Sequence, residues 1–143
     1  MSGLTSPRYA LNVSGKIDSL SFPVAAGTKV FQGGVACFDS ASPGAVYPAS
    51  ASTTLSPIGL FAATVDNTAG SAAVPVQVQL NREIQLVWLD NDVSPHTVTT
   101  SSIGVNEYLA DDHTVTTNSS GNSHSGRVWV VRANGQVGVE FPF

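Results

Sequence analysis

The residues whose chemistry could be catalytic fall in two short stretches. Gly121-Asn122-Ser123-His124-Ser125-Gly126 sets a serine beside a histidine, the groups a hydrolase uses as nucleophile and base. The spacing fails, since G-x-S-x-G is not met and that motif needs a strand, a sharp turn and a helix in a parallel sheet. Neighbours in an extended segment project in different directions, so Ser123 and His124 are not expected to meet. The stretch reads as a flexible polar loop. Asp111-Asp112-His113 offers two carboxylates and an imidazole, a set able to hold a metal ion. Consecutive residues alternate faces, however, and His96 and His124 would have to arrive from elsewhere. Residues 109–114 therefore read as a turn that reverses the chain before Val115. No catalytic residue, metal site or cofactor is expected, and Ala at Ser123, His124 or Asp112 should leave stability nearly unchanged.

Two tryptophans are the remaining candidates, as platforms for a sugar ring. Trp88 lies in the apolar run Ile84-Gln85-Leu86-Val87-Trp88-Leu89 and reads as core. Trp129 shares a strand face with Val131, and that face is covered either by a second sheet or by a partner subunit. Both residues are candidate interaction residues, together with Leu4, Tyr9, Leu11 and Val13 near the N-terminus.

The elements that position these residues read as strands. Apolar positions alternate rather than recur every three or four residues, and Gly and Pro punctuate the chain. Val74-Pro75-Val76-Gln77-Val78-Gln79-Leu80 alternates strictly, with Pro75 at a strand start or edge. A tight connection at Asn81-Arg82-Glu83 leads into residues 84–89, which are apolar on both faces and so expected in a central strand covered on each side. Residues 58–65 form a similar run before an Asp66-Asn67 turn. Residues 40–57 and 116–126 read as loops, with a short strand at Val46-Tyr47. Asn134-Gly135 predicts a two-residue hairpin turn pairing Val130 with Val139 and Val128 with Phe141, so that Val128, Val130, Val137, Val139 and Phe141 share one face. No internal repeat is visible.

Composition bounds the rest. The chain has 143 residues, enough for one domain with a real core. Charged residues make up only 11%, well below the usual quarter, and hydroxyls and amides replace them, as in a protein that packs into an assembly. The net charge is −4 and the six Lys and Arg are scattered, which argues against nucleic acid as a partner. Cys37 is the one cysteine and reads as a buried, inert thiol. The N-terminus lacks the basic start and apolar centre of a signal peptide, and no apolar run approaches the ~18 residues of a membrane helix, so a soluble protein made in a cytoplasm is expected, with no membrane partner.

Four segments taken in order resemble the capsid cement, or head decoration, proteins of tailed bacteriophages. Ala26-Gly27-Thr28-Lys29-Val30-Phe31-Gln32-Gly33-Gly34-Val35 is similar to that family's early strand-glycine-strand segment. Ile58-Gly59-Leu60-Phe61-Ala62-Ala63-Thr64-Val65 with the turn through Gly70 looks like its central strand. Residues 103–115 look like the segment before its last hairpin, and Ser125-Gly126-Arg127-Val128-Trp129-Val130-Val131 like its closing strand. Order and spacing agree from about Phe22 to the end. The resemblance implies an all-β domain, a single β-barrel, β-tulip-like fold or sandwich over residues 22–143. It implies a virion protein on the capsid exterior, bound to the major capsid protein and often self-associated as a homotrimer. Residues 1–21 fall outside the match and are expected to form an outer strand or an arm ordered against a neighbour. The competing expectation is a sugar-binding or host-attachment β-module of a tail or spike.

Overall fold

Period-two alternation runs through most of the chain, and the structure is all-β. It is a computed structural model that describes residues 19–80 and 86–142. The strands are β1 (Ser19–Val24), β2 (Lys29–Val30), β3 (Val35–Asp39), β4 (Val46–Pro48), β5 (Leu55–Phe61), β6 (Val65–Asp66), β7 (Val74–Leu80), β8 (Val87–Asn91), β9 (Asn106–Leu109), β10 (Thr114–Thr116), β11 (His124–Val131) and β12 (Gln136–Glu140). A 3₁₀ turn occupies Thr100–Ser102. The connection expected at Asn81-Arg82-Glu83 and the N-terminal residues Leu4, Tyr9, Leu11 and Val13 lie outside the described residues. Pairing with β7 begins at Ser19, so residues 19–21 belong to the sheet.

Barrel closure occurs twice. In the first barrel β1, β4, β3, β5 and β7 follow one another around the ring, and in the second β8, β10, β9, β11 and β12 do so. β2 and β6 form a separate two-stranded clip. β7 shows the expected alternation, with Val76 and Val78 buried and Gln77 and Gln79 exposed. Pro75 sits at its start opposite Pro23, where neither residue has an N–H to contribute.

The two barrels have one topology. In each, the first and third strands pair in parallel and every other pair is antiparallel (β1 with β4, β8 with β10). The registers match residue for residue: Phe61 opposes Val78 as Val128 opposes Val139, and Phe38 opposes Val46 as Leu109 opposes Val115. Gly33 and Gly104 both have φ near +85° and donate to the carbonyls of Phe61 and Val128 at 2.8 Å. Gly59 and Gly126 follow equivalent bulges, and a Cβ on either would overlap a carbonyl oxygen of the next strand, that of Gln79 or of Glu140. The sequence shows no repeat because the matched positions carry different side chains. The backbone is nevertheless duplicated.

The barrels stack end against flank. Outward-facing Val35, Cys37 and Leu55 of the first barrel join the core made by Val87, Leu89, Leu109, Val128, Val139 and Phe141 inside the second. Ala36, between them on β3, points into the first barrel's own core with Val24, Ile58, Phe61 and Val78. β3 is therefore covered on both faces from Val35 to Cys37. That property was expected of the run around Trp88, where β8 instead buries Val87 and Leu89 and leaves Trp88 outside.

The C-terminal hairpin forms in a different register from the expected one. Arg132 donates to Gln136 at 2.8 Å, so the loop is the three residues Ala133-Asn134-Gly135, with only Gly135 at positive φ (+87°). This is a type I turn closed by a glycine bulge, not a two-residue I′ turn. Val128 pairs with Val139, and a second bulge at Trp129 shifts the register so that Val130 faces Gly138. Val130 is thereby turned outward, while Val128, Val137, Val139 and Phe141 stay buried.

Candidate functional site

The acidic turn forms where expected, between β9 and β10. Residues 110–113 are bent rather than extended, so their side chains do not alternate faces as expected: His113 Nδ1 lies 2.8 Å from Asp112 Oδ1 and 3.1 Å from Asp111 Oδ1. The hydrogen bond to Asp112 raises the imidazole above its ordinary value near 6.5, desolvation opposes the shift, and the charges of Asp111, Asp112 and Asp90 add to it. The ligand atoms of the three residues lie within 4.8 Å of one another. The backbone of the same turn is structural. Val35 N–H donates to the Asp112 carbonyl at 2.7 Å and Asp90 N–H to the His113 carbonyl at 2.8 Å, so the turn latches one barrel to the other. His124 is engaged elsewhere, its ring stacked on Tyr108 at 4.5 Å with Nδ1 3.1 Å from the Asn106 carbonyl.

Ser123 and His124 do not form a pair. Ser123 is buried, accepts the Leu55 N–H at 3.0 Å and donates its hydroxyl proton to the Ser52 carbonyl. Its oxygen is committed to backbone groups of the first barrel and is not poised as a nucleophile. The expectation of a flexible loop over residues 116–126 is overturned at Thr116, Ser123 and Ser125, all buried. Hydrogen bonding to backbone makes such burial tolerable for hydroxyls. A groove of about 350 Å³ between the barrels is bordered by Leu55, Pro57, Tyr108, Asn122, Ser123 and His124. It therefore presents a hydroxyl already bonded and an imidazole already stacked.

Trp88 is not core. It projects from the outer face of β8 opposite Gly138, where the indole lies close enough to crowd a Cβ on that glycine. The Arg132 guanidinium covers the ring at 3.6 Å from its centroid. The aromatic shields a glycine in the sheet and carries a cation over its ring, while remaining 37% exposed.

Trp129, the extra residue of the β11 bulge, is exposed. With Ile103 (50%), Val105 (44%) and Val130 (37%), Trp129 (44%) forms an exposed apolar flank on the second barrel. Ile103 and Val105 border Gly104, which together with Val105 hydrogen-bonds Val128, the residue before Trp129. Val131, expected on the interaction face, is half-buried and packs against the second barrel's core instead, because the bulge reverses the alternation after Val128. The equivalent loop of the first barrel carries Gln32 and Gly34 at the positions of Ile103 and Val105, and Ala62 follows Phe61 where Trp129 follows Val128. The two matched loop positions thus carry no large apolar side chain, although Phe31 beside Gln32 is itself 52% exposed with Lys29 over its ring, and Trp129, as the extra residue of its bulge, has no matched position. Ile103, Val105 and Val130 were not singled out in the sequence. The signal was Ile-Gly-Val against Gln-Gly-Gly, readable only once Gly104 and Gly33 are known to be equivalent.

Comparison with protein-family models, with curated proteins and with solved structures finds no match to this chain.

Proposed function

We propose that the chain is a non-enzymatic virion structural protein that binds the outside of a phage capsid and stabilises it by bridging major capsid protein subunits. The observation that carries the reading is the apolar flank Ile103, Val105, Trp129 and Val130, exposed on the second barrel, where the first barrel has Gln32 and Gly34 at the positions of Ile103 and Val105. Exposed tryptophan in an apolar setting is the residue type that dominates protein-protein contact energies. Few charges elsewhere mean little desolvation when the surface packs closely, and shell symmetry repeats one modest interface at every equivalent site. The resemblance to cement proteins supports the same partner and a homotrimeric state. The sugar-binding alternative would use Trp129, and it is less favoured because the exposed residues set around that ring, Ile103, Val105 and Val130, are apolar rather than the polar partners a sugar platform needs.

The test is co-sedimentation of the protein with purified heads. Trp129→Asp combined with Val105→Asp is expected to weaken binding by roughly 30-fold or more, the loss of a hot spot of about 2 kcal/mol, with the melting temperature little changed. Undiminished head binding by this variant, or association with tails instead of heads, would refute the reading.

A further inference from the structure

We propose that the open end of the first barrel is the docking site for the chain's own N-terminal segment, residues 9–17. The segment closes that end as the first barrel's flank closes the second barrel. The duplicated topology supplies the comparison. Register matching pairs Leu20 with Val87, Phe22 with Leu89, Phe38 with Leu109 and Leu80 with Phe141. All eight residues are apolar. In the second barrel the four are at most 8% exposed, because Val35, Cys37 and Leu55 lie across that end. In the first barrel Leu20 and Phe38 are 39% and 40% exposed, and Phe22 and Leu80 are only partly buried. These side chains point inward: Leu20 and Phe22 share a strand face with buried Val24, and Phe22 meets Phe38 edge to face at 5.5 Å. One unit has a stopper for its apolar end, and its twin shows none among the described residues.

The position of the chain indicates the occupant. β1 begins at Ser19, beside Leu20 and opposite Gln79, at this same rim. The residues immediately before it include Tyr9, Leu11, Val13 and Ile17. Nine extended residues reach roughly 30 Å at about 3.3 Å each, enough to cross the mouth of a five-stranded ring. A tethered segment acts at an effective concentration on the order of millimolar, which favours it over a diffusing partner. A second copy offers a poorer stopper. On its second barrel Asn106 and Tyr108 stand at the positions of Val35 and Cys37, and Arg127 at that of Leu60, which packs against the same core; these are polar or amphipathic. The segment therefore serves its own barrel rather than lying across a neighbouring subunit, independently of what the Trp129 flank binds.

Three variants test this: a chain lacking residues 2–17, the full chain with Leu11→Asp and Val13→Asp, and Phe38→Ser in each background. The truncated chain is expected to keep its β-sheet circular dichroism, to bind an apolar dye that the full chain does not, and to melt about 5 °C lower or more. The double Asp variant should reproduce both changes. Phe38→Ser should lower the melting temperature of the full chain but add little to either N-terminal change. Additive effects of Phe38→Ser and the Asp pair overturn the proposal even if the truncated chain does not fold. So does a truncation that leaves melting and dye binding unchanged and affects only head binding or oligomeric state.

Discussion

At the scale of single residues, the side chains that suggested catalysis are the ones that join the two barrels. Ser123 bridges Leu55 and Ser52, so Ser123→Ala, expected from the sequence to be nearly silent, instead leaves a buried N–H and a part-buried carbonyl without their partner. The expected loss is about 1–3 kcal/mol in urea unfolding, whereas Ser120→Ala on the exposed loop should be neutral. An unchanged midpoint for Ser123→Ala would show that water replaces the hydroxyl. His113 makes a pH-dependent contribution. Folding raises its pKa, so the protonated ring stabilises fully below its ordinary value near 6.5 and loses that contribution as pH rises through the higher folded value. His113→Gln should therefore lower the melting temperature at about pH 5.5 and have almost no effect at about pH 9. The ring is largely exposed, which keeps the difference small. An equal effect at both pH values would mean that the imidazole acts by packing rather than charge.

At the scale of elements, bulges and glycines decide which way side chains face. The Trp129 bulge places Trp129 and Val130 outside in succession, which strict alternation cannot do. In the adjoining turn, Gly135→Val should destabilise the hairpin by roughly 1–2 kcal/mol, because only that position is left-handed, while Asn134→Val costs less. Equal costs in denaturant unfolding would argue for a two-residue turn after all. Gly59 and Gly126 make a matched pair in the two barrels. Ala at either drives a methyl into a carbonyl of the neighbouring strand, and at Gly126 the φ of +120° adds strain. Each substitution is expected to abolish the dispersed amide spectrum of the folded chain. A well-folded Gly59→Ala protein would show that β5 and β7 can separate at that point without loss.

At the scale of the whole molecule, the second barrel has no closed core of its own, since Val35, Cys37 and Leu55 of the first complete it. The barrels should therefore unfold together in one calorimetric transition. Cys37 reports on this directly. Burial, with a smaller contribution from Asp39, pushes its thiol up to about 12, so a disulfide reagent at neutral pH should modify it only through opening of the junction. The modification rate should follow the global unfolding rate across denaturant concentrations. Faster labelling would reveal separation of intact barrels.

The sequence alone determined what depends on local pattern: the all-β class, the alternation of β7, the turn at residues 110–113, the buried thiol at Cys37 and the scarcity of charge. Periodicity and composition report such features without knowledge of neighbours. Tertiary structure decided the rest. An apolar run covered on both faces exists, but it is Val35-Ala36-Cys37, because β3 is the strand with a barrel on either side. Trp88 stands outside because Gly138 leaves room beneath it and Arg132 lies over it, two partners distant in sequence. Ser123 is buried because Leu55 and Ser52, about 70 positions away, bring backbone groups to meet it. The duplication was hidden for the same physical reason. Hydrogen-bond register and glycine geometry are conferred by backbone, and many different side chains are compatible with one backbone path.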